Sequence, residues 1–447
     1  MVISSAARVG LDLFPLPLRE IRVYVHIPFC SSRCSYCDFY FETGRSPRVM
    51  SAILDRIVEE AEYFLRVMGF PRVRSVYFGG GTPSVIPPPL LERFLGRLRR
   101  ALFAGALQAG DAAHGEGSSV PEDAQEWTFE ANPESIGPEL LAVLSGAGIS
   151  RISLGVQSFR DDLLRSLTRR ADRRSVVRAM TLLGEPAFKQ KVPHLNIDLI
   201  TGIPGQSRAM VDADVASALE FVPDHFSVYS LTIEEHTPLK QAVARGSVRF
   251  PKSGRADLLW LSARDKLVAA GYEWYEISNF ALPDCRSLHN SAYWRLEPYL
   301  GLGPGAVSTL PMSFTGPGRR DPSSGAVRLT NPNLFVYGSR FEQSWHHAVE
   351  HLSARDLLLE QFMVGLRTSD GVSLDRIRSV FSLDLLGQHG ALVEEWRTRR
   401  LIDDAAVAEP QGRLVLRPKA RLLLDTHLIE VGAWIDSLLV PIMLRWP

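Results

Sequence analysis

Residues 22–37 read Arg22-Val-Tyr-Val-His-Ile-Pro-Phe-Cys30-Ser-Ser-Arg-Cys34-Ser-Tyr-Cys37. A strand-like run, Arg22–Ile27, leads into three cysteines with the spacing C-x3-C-x2-C. Three thiolates on one short loop can converge on a single soft centre, since thiolate is the ligand that iron–sulfur clusters and zinc select. Cys30, Cys34 and Cys37 therefore predict a metal centre at the end of the first strand.

The three cysteines alone do not decide whether this centre is an iron–sulfur cluster or zinc. A structural zinc site normally takes four protein ligands, and His26 or Cys285 could supply the fourth. Three cysteines with no fourth nearby more naturally leave one iron of a cubane open to a substrate or cofactor. Buried cysteines that meet by accident, or a disulfide, are weaker interpretations, because this spacing is rare among core cysteines and nothing indicates an oxidising compartment.

Strand-like and helix-like segments alternate from the first strand to about residue 269. Ile53, Leu54, Ile57 and Val58 recur at helical spacing after the first strand, for example. Six β-then-α units imply a parallel sheet, because parallel strands need crossover helices. The unit count predicts an α/β fold, a partial (β/α)6 barrel rather than a full eight-fold one. The predicted strands are Arg22–Ile27, Val73–Phe78, Trp127–Ala131, Arg151–Gly155, Leu195–Ile200 and His225–Leu231.

The chain divides into four predicted segments. Helical spacing dominates from about Leu352, which favours a smaller, mainly helical C-terminal domain. Two stretches read as loops, Ala104–Gln125, rich in Ala and Gly, and Pro311–Ala326, rich in Gly, Pro and Ser. The predicted segments are an N-terminal extension (1–20), the barrel and its extension (21–310), a loop-rich connector (311–351) and the C-terminal domain (352–447).

Composition narrows the class of protein. The 447 residues carry 50 Lys plus Arg and 50 Asp plus Glu, so a net charge of zero gives no reason to expect a nucleic-acid partner. Four cysteines exclude a disulfide scaffold. The first 20 residues lack the apolar core of a secretory signal, and no window of about 18 residues is free of charge, so neither export nor stable membrane insertion is expected. A cytoplasmic protein is therefore predicted.

A glycine triplet and several polar residues lie near the ends of the predicted strands. Gly79-Gly80-Gly81-Thr82 follows the second strand, where glycine permits close backbone approach and positive φ. Glu130 and Asp198 lie in later strands, Gln157 follows the fourth strand, and Arg169 lies in the helical stretch after it. The carboxyl ends of parallel strands meet at one mouth of the sheet. We therefore expect these side chains to converge, although each alone could be a cap or turn residue.

Five strings lie in a fixed order along the predicted barrel. They are Tyr24-Val-His-Ile-Pro-Phe-Cys30, Phe78-Gly-Gly-Gly-Thr-Pro83, Phe129-Glu-Ala-Asn-Pro133, Ile152-Ser-Leu-Gly-Val-Gln157 and Asn196-Ile-Asp-Leu-Ile200. The cysteine loop resembles the signature of radical S-adenosylmethionine (SAM) proteins. The whole set resembles the oxygen-independent coproporphyrinogen III oxidase family, and most of all its haem-chaperone branch. The resemblance runs from about Val23 to Arg367, more weakly to the end, and implies a radical-SAM barrel.

The resemblance also implies the cofactors and their contacts. It implies a [4Fe–4S] cluster on Cys30, Cys34 and Cys37, whose open iron binds the amino and carboxylate groups of SAM. The glycine loop Gly79–Thr82 is implied to hold the methionine end of SAM. Arginine suits a carboxylate, while carboxylate and amide side chains suit the ribose diol and the ammonium. The further SAM contacts implied are Glu130, Gln157, Arg169 and Asp198, with Tyr24 and Tyr36 beside the cluster and cofactor; Tyr229, a weaker candidate, is more simply a core aromatic.

The chain departs from the oxidase branch just after the third cysteine. That branch carries a further cysteine, in C-x3-C-x2-C-x-C, whereas Cys37 is followed here by Asp38 and Phe39. The haem-chaperone branch also lacks this cysteine. It is marked instead by His-Asn-x-x-Tyr-Trp, which is present here as His289-Asn290-Ser-Ala-Tyr293-Trp294.

This second motif makes His289 a candidate haem ligand. Imidazole commonly binds haem iron, although a single histidine is as readily a hydrogen-bonded structural residue. The string Tyr299-Leu-Gly-Leu-Gly-Pro-Gly-Ala306 follows, as in the haem-chaperone branch. The next residue there is usually His, whereas this chain has Val307, so a haem contact of that branch is lost if that His makes one.

The resemblance implies a haem chaperone that binds the cluster, SAM and haem and delivers haem to an acceptor protein, with a reductant as a further partner. The alternative is an enzyme, an oxidative decarboxylase of coproporphyrinogen III propionates. In that branch, one electron cleaves SAM to methionine and a 5′-deoxyadenosyl radical, which removes hydrogen from a propionate. The missing cysteine and the His289 motif favour the chaperone, and no catalytic residue is assigned. A SAM enzyme with another substrate and a zinc-stapled barrel are weaker alternatives.

Overall fold

The six predicted strands lie side by side in chain order within one 12-stranded sheet. Each pairs in parallel with the next, as the crossover helices require. The computed structural model describes residues 18–104, 126–311, 326–332, 348–387, 389–408, 412–438, 442 and 444. Its strands are β1 (Glu20–Ile27), β2 (Phe29–Cys30), β3 (Glu42–Thr43), β4 (Arg72–Gly80), β5 (Glu126–Ala131), β6 (Arg151–Gln157), β7 (His194–Thr201), β8 (His225–Ser230), β9 (Glu273–Trp274), β10 (Asn279–Ala281), β11 (Tyr299–Leu302), β12 (Val307–Pro311), β13 (Ala326–Thr330), β14 (Ala348–Leu352), β15 (Val372–Ser373) and β16 (Arg413–Leu414).

Helices connect the parallel strands and bury their apolar faces. The first begins after Ser46, whose hydroxyl accepts the N–H of Val49, and buries Ile53, Leu54 and Ile57. The helices are α1 (Pro47–Val67), α2 (Pro88–Leu102), α3 (Pro138–Gly146), α4 (Asp161–Ser166), α5 (Arg173–Leu183), α6 (Pro186–Lys189), α7 (Arg208–Leu219), α8 (Pro238–Ala244), α9 (Ser253–Ala269), α10 (Leu288–Trp294), α11 (Ala354–Gly365), α12 (Leu374–Phe381), α13 (Ala391–Thr398), α14 (Asp404–Ala408), α15 (Pro418–Arg421) and α16 (Leu424–Ser437).

The sheet is an open barrel, as predicted. Its order is β14-β13-β12-β11-β1-β4-β5-β6-β7-β8-β10-β9, so β14 and β9 are its two edges. β11 pairs in parallel with β1, while β12, β13 and β14 continue antiparallel from it. Two parts of the predicted connector are therefore strands, because the short segments Ala326–Thr330 and Ala348–Leu352 pair with each other at this edge. Most of the predicted loops Ala104–Gln125 and Pro311–Ala326, and of the extension 1–20, lies outside the described residues.

The predicted helices of the tail form a separate apolar core. Leu358, Phe362, Ile377 and Trp396 are fully buried there, beside the short β15–β16 pair. The guanidinium of Arg421 lies 3.6 Å from the ring centre of Trp274, so this core contacts the barrel edge through a cation–π pair. The four segment boundaries drawn from the sequence remain predictions. Among the described helices, none has the length and apolar character needed to span a membrane.

A buried ion pair joins the first residues of β5 and β6, at the floor of the barrel, to α10. Arg151 Nε lies 3.0 Å from Glu126 Oε2, and both side chains are almost fully buried. The same carboxylate accepts the backbone N–H groups of Leu288 and His289 and the hydroxyl of Ser287. Burial would raise the pKa of Glu126, but the Arg151 charge and these N–H donors hold it below its usual value. The pair therefore fixes where α10 begins.

Glu126→Ala tests this junction. We expect the free energy of unfolding to fall by about 3 to 5 kcal/mol, because Arg151 is left buried without its counter-charge. Urea denaturation followed by circular dichroism measures the change. Glu235→Ala is the control: Glu235 pairs with Lys240 on the surface, where screening leaves stability unchanged. Equal midpoints for the two variants would contradict the role given to Glu126.

Candidate functional site

The cysteine loop is held by the glycine loop at the carboxyl ends of β1 and β4. Gly81 N–H donates to Ile27 O at 2.8 Å, and Thr82 N–H donates to Phe29 O at 2.7 Å. A Cβ on Gly81 would lie 2.7 Å from Phe29 O, closer than real Cβ atoms approach. Gly80 has φ of +105°, which favours glycine. The glycine triplet therefore allows the backbone after β4 to lie close to the backbone after β1, the use of glycine that the sequence predicted.

The three cysteines line one cavity of about 550 Å³ at this mouth of the sheet. Most of the predicted cofactor residues line the same cavity, so the expected convergence of the strand ends is present. Gly79 lies just behind it, where a Cβ would meet the Glu130 carboxylate at 3.0 Å. The predicted residues that line the cavity are Cys30, Cys34, Tyr36, Cys37, Gly80, Gly81, Thr82, Glu130, Gln157, Arg169 and Asp198.

The cysteines suit a cluster better than a single ion. The sulfur atoms of Cys30, Cys34 and Cys37 do not all lie within 4.8 Å of one another. A single zinc ion would need its ligand atoms closer together than that. Burial raises the pKa of Cys30 to about 11, so its thiolate form needs a cationic centre.

The two candidates for a fourth zinc ligand do not join the cysteines. His26 lies next to the loop, but its ring nitrogens contact Tyr24 Oη at 3.2 Å and Tyr40 O at 2.9 Å. Cys285 lies at the other end of the barrel, where its carbonyl accepts from Arg151 at the start of β6. The zinc alternative therefore lacks the fourth ligand proposed for it.

Two half-buried carboxyl groups, those of Glu130 and Asp198, face the cavity. Glu130 Oε1 accepts from Tyr77 Oη at 2.8 Å, and Asp198 Oδ1 accepts from Asn196 Nδ2 at 2.7 Å. Burial raises the pKa of Glu130 to about 7 and that of Asp198 to about 6. Each group can thus hold a ligand diol or ammonium by hydrogen bonds. Tyr77 was not predicted, since it lies inside a strand with no polar spacing to mark it.

Arg169 is fixed by neighbours that include a residue the sequence did not single out. Its Nη2 donates to Asn132 Oδ1 and to Gly155 O, both at 2.7 Å, and its Nη1 lies 3.6 Å from Cys34 Sγ. Asn132 also donates to Thr82 Oγ1 at 3.2 Å and thereby joins the glycine loop to Arg169. The signals for Asn132 were its position directly after β5 and its place in the string Phe129-Glu-Ala-Asn-Pro133.

Gln157 and Tyr229, each near the end of a strand, both line the first cavity. Gln157 ends β6 with φ of +67°, after a register shift against β7, and this turn directs it to the cavity. Tyr229 was expected to be a core aromatic. It is 46% exposed and lines the cavity, because it lies near the carboxyl end of β8. That expectation is wrong.

A second cavity of about 420 Å³ lies beside the first, within the size range of ligand sites. Asp38 and Phe39 line both cavities. Phe39 occupies the position of the oxidase branch's further cysteine and is 73% exposed. The other residues that line the second cavity are Tyr24, His26, Tyr40, Tyr77, His289, Asn290, Tyr293, Tyr299, Gly305 and Val307.

His289 lies at the wall of this second cavity and not in the first. Its Nδ1 lies 2.9 Å from Ser75 Oγ, and its Nε2 lies 3.1 Å from Tyr293 Oη. Burial lowers the pKa of His289 to about 4, so the imidazole is neutral at physiological pH. Both nitrogens are thus hydrogen-bonded, and an iron ion reaches Nε2 only when Tyr293 gives way. Val307 begins β12 and lines the same cavity.

Residues 24–218 match the Radical SAM superfamily. The chain is 32% identical to Heme chaperone HemW of Lactococcus lactis, over 85% of this chain and 90% of that one. It is 32% identical to Heme chaperone HemW of Mycobacterium tuberculosis H37Rv, over 92% and 95%.

A mitochondrial relative and a solved structure extend the comparison. The chain is 34% identical to the bovine radical S-adenosyl methionine domain-containing protein 1, over 78% of this chain and 74% of that one. The structure of coproporphyrinogen III oxidase HemN from Escherichia coli shares its fold, with a TM-score of 0.69 at 20% identity over 94% and 91%. With relatives this similar over most of their length, the chain belongs to the HemW family of radical SAM proteins.

Proposed function

We propose that this protein is a haem chaperone of the cytoplasm that binds haem beside a SAM-ligated [4Fe–4S] cluster and delivers the haem to an acceptor protein. The observation that carries the proposal is the adjacency of the two cavities, which share Asp38 and Phe39. One cavity presents three cysteines, and the other presents the His289 motif. A reductant is the further partner that redox use of the cluster requires.

Cys30, Cys34 and Cys37 would hold the cluster in the first cavity. Arg169 and Thr82 lie within hydrogen-bonding reach of two of these sulfur atoms and would stabilise their thiolate charge. When bound, the cluster and SAM supply one-electron cleavage of a carbon–sulfur bond of SAM.

The polar walls of the first cavity would orient SAM. Glu130 and Asp198 would accept hydrogen bonds from its ribose or ammonium, and Arg169 would face its carboxylate. Gly80 and Gly81 line this cavity and would place the backbone of the glycine loop beside the methionine end of SAM.

Haem would lie in the second cavity, whose wall is largely aromatic. Tyr24, Tyr77 and Tyr299 line it, and aromatic rings would pack well against a planar ligand. His289 would bind the iron through Nε2 after Tyr293 turns away, since Nδ1 is held by Ser75. Phe39 occupies the position of the oxidase branch's further cysteine. Its ring would give this region an apolar surface next to the cluster. These features favour binding of a tetrapyrrole over its conversion.

Replacement of a cluster ligand tests the first cavity. Cys30→Ala should lose the cluster, because two thiolates hold a cubane poorly. Iron and sulfide analysis after anaerobic reconstitution measures the loss. Cys285→Ala is the matched control, because Cys285 lies away from the loop and should leave both contents unchanged. Full iron and sulfide in Cys30→Ala would remove the cluster from this loop.

Haem titration tests the second cavity. His289→Ala should weaken haem binding by about tenfold or more, which corresponds to about 1.4 kcal/mol, while 5′-deoxyadenosine release from SAM is spared. Tyr293→Phe should keep or raise haem affinity, because Nε2 loses the hydroxyl that occupies it. The exposed His236, replaced by Ala, is the control. An unchanged titration for His289→Ala would exclude His289 from the haem site.

A further inference from the structure

A second set of metal-ligating side chains lies at the end of the barrel opposite the cysteine loop. His194 begins β7, Asp224 immediately precedes β8, and Cys285 lies between β10 and α10. One ligand atom from each lies within 4.8 Å of the other two. No other group of three such side chains is this close among the residues that the structure describes.

Backbone hydrogen bonds hold these three residues in place. Asp224 N–H donates to Leu195 O at 3.1 Å, while Leu195 N–H donates to Asp224 Oδ2 at 2.9 Å. Leu282 N–H donates to Asp224 O, and Cys285 N–H donates to Leu282 O, both at 3.0 Å. The start of β7, the turn before β8 and the turn before α10 are thus cross-linked. A site on this frame is positioned before any ion arrives.

One polar atom in the group has no partner within the described structure. The Nδ1 atom of His194 is buried and neither accepts nor donates a hydrogen bond. Buried polar atoms are normally paired, so an unpaired one calls for an explanation such as an ion. A lone pair on imidazole is a donor that divalent zinc prefers, together with thiolate and carboxylate.

The spacing and the charges are compatible with zinc. Zinc bond lengths of about 2.0 to 2.3 Å place tetrahedral ligand atoms about 3.3 to 3.8 Å apart, and the three ligand atoms here all lie within 4.8 Å of one another. The facing cations are Arg151 and Lys189. Arg151 is already paired with Glu126, so its charge is offset. The Asp224 carboxylate and the Cys285 thiolate match the charge of a divalent ion.

We propose that His194, Asp224 and Cys285 bind one zinc ion, with water as the fourth ligand. Binding releases the thiol proton of Cys285, so the zinc–sulfur bond replaces a sulfur–hydrogen bond without change of oxidation state. The ion would fasten the turn that leads into α10 to the floor of the barrel. The site is independent of the haem proposal, because it shares no ligand with either cavity.

Zinc binding to the anaerobically reconstituted protein tests this inference. Dialysis against buffered zinc chloride should leave one zinc per chain beyond the cluster iron, measured by plasma mass spectrometry. Cys285→Ala and His194→Gln should each weaken zinc binding by about tenfold or more with iron content unchanged. The exposed His236, replaced by Gln, is the matched control. Unchanged zinc affinity in both variants, or no zinc in the wild-type protein at about micromolar free zinc, overturns the proposal.

X-ray absorption at the zinc edge gives a second measurement that needs no variant. The proposed ligands predict one sulfur and three nitrogen or oxygen neighbours around zinc. A shell of three sulfurs would place the zinc on the cluster cysteines and overturn the proposal. Because the edge is specific to zinc, the iron of the cluster does not interfere. This measurement decides the matter even if a variant loses its cluster through misfolding.

Discussion

The site depends on one close approach between two stretches of backbone. The glycine loop after β4 lies against the chain that leads from β1 into the cysteines, and two hydrogen bonds join them at Gly81 and Thr82. A side chain at Gly81 would clash with Phe29 O and separate the two loops. Without this contact the cysteines would not face the polar ends of β5, β6 and β7. The glycine loop thus positions both the proposed cluster and the cavity that would hold SAM.

The second constraint concerns the helix that carries His289. Glu126, at the start of β5, accepts the first backbone N–H groups of α10 and is paired with Arg151. This buried network places His289 against Ser75 of β4, at the wall of the second cavity. β4 contributes to both cavities, with Gly80 lining the first and Tyr77 lining the second. A planar ligand in the second cavity would lie next to a cluster in the first.

Periodicity predicted the barrel strands well, because alternation and apolar runs depend on local burial. The convergence of Glu130, Gln157, Asp198 and the cysteines followed from one rule, that parallel strand ends meet. Other features depend on partners distant in sequence. Asn132 contacts Thr82 and Arg169 only in the folded chain. The motif around His289 does not show that both of its ring nitrogens are hydrogen-bonded. The strands in the predicted connector were missed because short apolar runs between polar stretches carry little periodic signal.

We propose that this chain carries haem and does not convert coproporphyrinogen III, a precursor of haem. The most direct measurement gives the anaerobically reconstituted protein SAM and dithionite, then coproporphyrinogen III in one portion and haem in another, with absorbance and product analysis. We expect stoichiometric haem binding and no protoporphyrinogen. Formation of protoporphyrinogen would instead make the protein an oxidase that works without the further cysteine, and haem carriage would not be its function.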